Sequence, residues 1–396
     1  MSRSDTAAHR LKSHDFHHRP AFDGLRAIAV YAVVLYHADV DILSGGFIGV
    51  DLFFVLSGFL VTNVVLRDLS SEDRFSIWQF YARRARRLLP AATIVVVTMS
   101  IFTLVSSPVG IRERILGDAQ AGLLYFANYH FLWTNDDYFN AGPAASPFLH
   151  FWSLAIEEQF YLIFPPLMLL MTGPLLRRFG RKTLLYVPLL LCAATASVQV
   201  VLASKNPQAA YFRSDARAYQ LFAGVLVAGL FYTSSGRARV LLVRSRAAEI
   251  AVILFVLGSL SVFSVSASSR GLAATFIACT LIAGLEASPA SALARLLSRA
   301  PVVYLGVISY GTYLWHWPVV LVVSRYVETD AWLLAAIGAL VGSALASLSY
   351  HLVEIPMRRS GKSRRWSLPT VTAGLASGVA ISFLLLPWIL GRIRRS

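Results

Sequence analysis

The chain has 396 residues, of which 56% are hydrophobic and 14% charged, with a formal net charge of +15. Such a composition excludes a soluble domain: apolar runs of about twenty residues recur along the chain, which predicts an all-α polytopic integral membrane helical bundle. The positive charge does not point to nucleic acid, because the basic residues fall in short clusters between the apolar runs.

Residues 1–20 are polar and basic, with His9, His14, His17 and His18, and read as a disordered cytoplasmic tail without a cleavable signal peptide. Spans are expected at 27–43, 47–66, 88–106, 152–172, 184–203, 216–233, 249–266, 271–286, 302–324 and 332–352. These ten core helices are followed by one C-terminal span at 368–390. Residues 21–358 form the expected membrane domain, and 359–396 a basic cytoplasmic loop plus the extra span.

With the N-terminus in the cytoplasm, the loops at 67–87, 173–183, 234–248, 287–301 and 353–367 face inward. They carry the basic clusters, among them Arg83, Arg84, Arg86 and Arg87, then Arg177, Arg178, Arg181 and Lys182, and Arg358, Arg359, Lys362, Arg364 and Arg365. This is the positive-inside pattern, and it also suits contact with anionic lipid. The loops at 44–46, 204–215, 267–270 and 325–331 face outward with few charges. Residues 115–133 are moderately apolar, but a full crossing there would invert every later loop. Residues 107–150 are therefore read as an outer excursion with a re-entrant or interfacial helix. Only the terminal GRIRRS, left outside, breaks the charge rule. Cys192 and Cys279 both lie in apolar spans and suggest neither a disulfide framework nor a metal site. No internal repeat supports a transporter built from inverted halves.

Polar residues interrupt the spans in compact sets. Arg26 and His37 are eleven residues apart on the first span, on nearly the same helix face and about 16 Å apart along the axis. An arginine at a membrane edge is ordinary, but a histidine about half-way across is costly and marks a functional interior. A buried neutral histidine serves as general base toward a hydroxyl. In GGFIGVDLFFVLSGFLVT, the glycines read as packing positions, and Asp51 as either an outer-edge carboxylate or a substrate contact. FYARRARRLLP puts four arginines in five positions on the cytoplasmic side, which suits lipid head groups and also a polyphosphate such as coenzyme A. HFWSLAIEEQFYLIFPP places Glu157 and Glu158 early in a span, and Glu157 lies one turn after Ser153. Arg213, Asp215 and Arg217 stand at the outer entrance of a later span, and Tyr313 and His316 recur at helical spacing in SYGTYLWHWPVV. HLVEIP, with His351 and Glu354, closes the domain.

Taken in order, these segments resemble the membrane-embedded acyltransferase 3 family over roughly residues 20–358. The resemblance implies transfer of an acyl group, usually acetyl from acetyl-CoA, to a hydroxyl of a carbohydrate, glycolipid or glycosylated natural product. It makes His37 the catalytic histidine, Arg26 its companion and Glu157 the key carboxylate. It places Arg83, Arg84 and Arg87 at the acyl donor, and no metal is implied. Asp51, Arg213, Arg217, Tyr313 and His316 are expected to contact substrate. Two departures stand out. Many relatives carry a carboxylate at the position of Gln220, which leaves an acid role there in doubt. Many also continue into an SGNH-type hydrolase-like domain, whereas this sequence stops soon after residue 390, so transfer is expected in the membrane domain or with a separate partner. The expected setting is the inner (plasma) membrane. The competing class, an exporter or flippase of a lipid-linked or glycosylated substrate, accounts equally well for intramembrane His, Glu and Arg on physical grounds.

Overall fold

The computed structural model describes residues 19–70, 75–106, 108–139, 142, 144–233, 246–260 and 265–359, and isolated positions between 369 and 384. The tail before residue 19, the basic loop at 234–245 and nearly all of the span expected at 368–390 lie outside the described residues. Every regular element among the described residues is helical.

In chain order the helices are α1 (Pro20–His37), α2 (Ile48–Ser70), α3 (Ile77–Ser106), α4 (Val109–Leu123), α5 (Ala127–Trp133), α6 (Phe151–Leu170) and α7 (Thr183–Lys205). There follow α8 (Pro207–Phe212), α9 (Ser214–Thr233), α10 (Ala247–Ser259), α11 (Ala267–Ala287), α12 (Ala292–Leu297) and α13 (Ala300–Val307). The last are α14 (Ser309–Tyr326), α15 (Ala331–Ser349) and α16 (Ile355–Arg359). Beyond α6 the helix continues through a π-helical turn at Met171–Leu175, which contains Pro174, to Phe179.

Among the described residues six helices are long and apolar enough to cross a membrane, and α13 with α14, bent by 69°, makes a seventh if the pair counts as one span. The expected span at 216–233 is helical as α9, while that at 27–43 is helical as far as the end of α1 at His37 and that at 249–266 as far as the end of α10 at Ser259. Asp23 and Arg26 make α1 more polar, Asp215, Arg217 and Gln220 do the same to α9, and α10 has only 13 residues. The chain is thus an all-α polytopic membrane protein, and part of its helix set carries polar groups that hydrocarbon alone does not favour.

Two compact units divide it. The first comprises Met1–Tyr36, Asp41–Phe75 and Phe160–Val307, and the second His37–Val40, Ser76–Gln159 and Ile308–Ser396. In the first unit α9 packs on α2 and α7, and α11 on α10 and α2. Glycine sets the α2–α9 crossing. A Cβ on Gly58 would strike the carbonyl of Leu221, and one on Gly224 the backbone of Val55 and Phe59. Backbone meets backbone there, the close approach that small residues allow between membrane helices.

In the second unit α14 packs on α15 and on α3, and α4 packs on α3. Helices α4 and α5 form a tight hairpin. The chain reverses at Leu124–Phe126, with Tyr125 in the left-handed region at φ +54°. Asp118 and His130 are hydrogen-bonded at 2.7 Å, whereas twelve residues of continuous helix would hold them about 18 Å apart. Gln159 of α6 fastens the tip by donating to the Tyr125 carbonyl at 2.8 Å and to Asn128 Oδ1 at 3.0 Å. The segment at 115–133 therefore doubles back on itself as a helical hairpin.

Candidate active site

The second unit gathers three histidines from three distant parts of the sequence: His37 at the end of α1, His150 just before α6, and His316 in α14. All three are buried. His37 Nδ1 lies 2.8 Å from His316 Nε2, and the two rings stack with centroids 5.1 Å apart. Trp317 packs on the His37 ring at 4.6 Å and Tyr138 at 5.4 Å. Tyr138 in turn stands edge-on to Trp152 of α6 at 5.6 Å.

The sequence of α14 explains how His150 is held. Pro318 has no N–H, so the carbonyl of Leu314, four residues earlier, lacks its helical donor. His150 Nε2 fills that vacancy at 3.1 Å. The Nδ1 atom of His150 is buried without a hydrogen-bond partner. Around it the segment entering α6 is laced to α14. Tyr313 donates to the His150 carbonyl at 3.0 Å and meets Ser153 Oγ at 2.6 Å. Trp317 Nε1 donates to Ser146 O at 2.9 Å, and Arg325 donates to Ala145 O at 3.1 Å. Buried main-chain acceptors are thus satisfied by side chains, as a dry interior requires.

Glu157 is buried one turn beyond Ser153 on the same face of α6. Its neighbour Glu158 points elsewhere and pairs with Arg84 of α3 at 3.0 Å. Arg84 is therefore turned onto a carboxylate, and Arg83 is exposed. Tyr310 donates to the Leu88 carbonyl at 2.9 Å, which ties α14 to the end of the arginine turn. Glu354, in a π-helical turn after α15, pairs with Arg358 at 3.5 Å.

The remaining predicted residues belong to the first unit. Arg26 pairs with Asp23 at 2.9 Å, one turn earlier on α1. Asp51 of α2 and Arg217 of α9 form a fully buried ion pair at 2.7 Å. Each stands seven residues before a crossing glycine, Gly58 or Gly224. Gln220 donates to the same Asp51 oxygen and to the Tyr219 hydroxyl. Where the resemblance led to an expected carboxylate, the amide thus serves as a donor to Asp51. Arg213 is occupied by Asp215 in a two-point contact at 3.0 and 2.7 Å.

The structure therefore brings His37, Tyr313 and His316 into one unit with Glu157, and it adds His150, Ser153, Tyr138 and Trp317. The group on Nδ1 of His37 is a second histidine, His316. Tyr138 was not foreseen. Its only sequence signal is an aromatic in residues 134–150, the end of the excursion, which holds no Lys or Arg. The Asp118–His130 pair was likewise unforeseen, because nothing in a linear reading shows the reversal between them.

The three histidines form a buried cluster within an all-α membrane bundle. Residues 19–352 match the acyltransferase domain model Acyl_transf_3, and the chain belongs to that family. It is 34% identical over 356 residues to the peptidoglycan O-acetyltransferase OatA of Listeria monocytogenes, covering 86% of this chain and 56% of that protein. It is 32% identical over 388 residues to the O-acetyltransferase OatA of Staphylococcus aureus strain MRSA252, covering 94% of this chain and 62% of the relative. A putative peptidoglycan O-acetyltransferase of Bacillus subtilis, YrhL, is also 32% identical, with 93% and 62% covered. The chain thus spans less than two thirds of the length of these relatives. No solved structure matches.

Proposed function

We propose that this chain is a membrane O-acetyltransferase that moves an acetyl group from acetyl-CoA to a hydroxyl of a cell-envelope carbohydrate. The observation that carries this reading is the buried His37, hydrogen-bonded through Nδ1 to His316 and walled by Trp317 and Tyr138. The relatives' names support acetyl as the group moved, and those of the Listeria and Bacillus relatives, which name peptidoglycan, support a carbohydrate acceptor.

In this mechanism acetyl-CoA arrives from the cytoplasm, with its phosphates at the arginine turn of α3. Arg83 and Arg87 contact the donor, and Arg84 is the anchor that Glu158 keeps in place. Arg26, on the same helix as His37, carries the family role of companion to the histidine. His37 takes the proton of the acceptor hydroxyl as its oxygen attacks the thioester carbonyl. The tetrahedral intermediate then expels the CoA thiolate, which regains the proton from His37. The products are the acetyl ester and CoA-SH. In a two-step variant, His37 attacks the thioester and carries the acetyl group before the hydroxyl receives it. Asp51, Arg213 and Arg217 are carried over from the resemblance as acceptor contacts. The N-terminus lies in the cytoplasm and the protein in the plasma membrane, a reading supported by the basic loops.

The test uses purified protein in detergent, acetyl-CoA labelled in the acetyl group, and peptidoglycan fragments as acceptor. The reading predicts label in an alkali-labile ester on the glycan. Substrate flux across proteoliposomes with no ester formed would instead identify an exporter or flippase.

A further inference from the structure

We propose that His316 is a positioning residue that holds His37 as the tautomer protonated on Nδ1, so that Nε2 of His37 is the reacting nitrogen. This rests on the reading of His37 as the acyl-transfer histidine.

The assignment follows from a chain of partners that can be read in only one direction. His316 Nδ1 lies 3.2 Å from the backbone carbonyl of Thr312. A carbonyl only accepts, so His316 Nδ1 carries the hydrogen. In a neutral imidazole the other nitrogen is then an acceptor, and this is the atom 2.8 Å from His37 Nδ1. The hydrogen between the rings therefore sits on His37 Nδ1, which leaves Nε2 of His37 as the unprotonated, basic nitrogen. The polarity of the relay begins at a main-chain carbonyl, a group that no change of pH converts into a donor.

Packing keeps the relay in register. The backbone of His316 lies against Gly342 of α15, where a Cβ would stand 3.3 Å from the His316 Cα. A side chain there would require α14 to give by about a few tenths of an ångström. Trp317, the next residue, covers the His37 ring and is itself tethered to Ser146. Carboxylates usually fill this second position behind a reacting histidine. A neutral histidine fixes the tautomer equally well and adds no buried charge, which would be costly in a membrane interior.

The experiment compares wild type, His37→Ala, His316→Gln and His316→Met in the purified full chain. Glutamine places a side-chain oxygen near the former Nε2 position and can still accept from His37 Nδ1–H, whereas the methionine thioether is only a weak acceptor. The kcat of His316→Met is expected to fall steeply, by up to about 10,000-fold, the scale at which a wrong tautomer acts, with the KM for acetyl-CoA unchanged. His316→Gln is expected to recover much of the loss. Protein labelled with 15N-histidine gives the direct readout, the His37 signals being those that vanish in His37→Ala. Wild type should show Nδ1–H and bare Nε2 for His37, and His316→Met a mixture of tautomers. A folded His316→Met protein with wild-type kcat, or a His37 protonated on Nε2 in wild type, would overturn the proposal. If wild type lacks acyl transfer altogether, the function reading fails, while the nitrogen shifts still decide the tautomer. If His316→Met does not fold, the wild-type shifts and the His316→Gln kinetics decide it.

Discussion

His150 Nε2 donates at 3.1 Å to the Leu314 carbonyl, the acceptor that Pro318 leaves without a helical donor. A proline inside a helix is unfavourable by about 3 kcal/mol, and here the vacancy it creates positions a buried imidazole. Pro318→Ala restores an N–H that competes with His150 for that carbonyl. The expected outcome is an equal or higher melting temperature together with a lower kcat. Thermal unfolding in detergent, run beside the acetyl-transfer assay, checks both halves.

The arginines of α3 should separate into two behaviours. Arg84 is paired with Glu158, and Arg83 is exposed. Arg83→Gln is expected to raise the KM for acetyl-CoA several-fold with little change in thermal stability. Arg84→Gln is expected to lower the melting temperature, because it leaves the Glu158 carboxylate without that partner. A double-mutant cycle with Glu158→Gln should show coupling, whereas Arg83 and Glu158 should be additive.

The Asp51–Arg217 pair predicts an asymmetry between single and double substitutions. Asp51→Leu or Arg217→Met alone strands a buried charge and is expected to cost about 3–5 kcal/mol. The double variant removes both charges and should recover most of the folded yield. Size-exclusion profiles and thermal melts of the three proteins report this directly. If the pair also contacts acceptor, the refolded double variant will show a raised acceptor KM with its donor KM unchanged.

Because α4 and α5 double back at Tyr125, residues on either side of the hairpin lie at the same end. Single cysteines at Arg112 and Asp137, in a background without Cys192 and Cys279, should react with a membrane-impermeant maleimide from the same face. Labelling from opposite faces would mean that the segment crosses.

Much of this was legible because the membrane makes polar residues conspicuous. His37 and Glu157 stood out against apolar runs, and the loop charges alone required residues 115–133 to return rather than cross. What could not be read were pairings made by folding. His316 was visible as a polar residue at helical spacing, but its partner lies 279 positions away. Its place beside His37 could therefore not be read from the sequence. Glu157 and Glu158 were seen as a pair, yet only the packing of α3 shows that Glu158 is the one committed to Arg84. Tyr138 had no periodicity to mark it, because it lies in an irregular loop. In α1 and α9 the same polar groups that pointed to function also lower the hydropathy by which a span is recognised.

The most direct test of the account is CoA release from acetyl-CoA by purified wild type and by His37→Ala, with a carbohydrate acceptor present. Acceptor-dependent release by wild type and none above background by a folded His37→Ala protein is the predicted result. Equal release by the two proteins would contradict it and remove His37 from the chemistry.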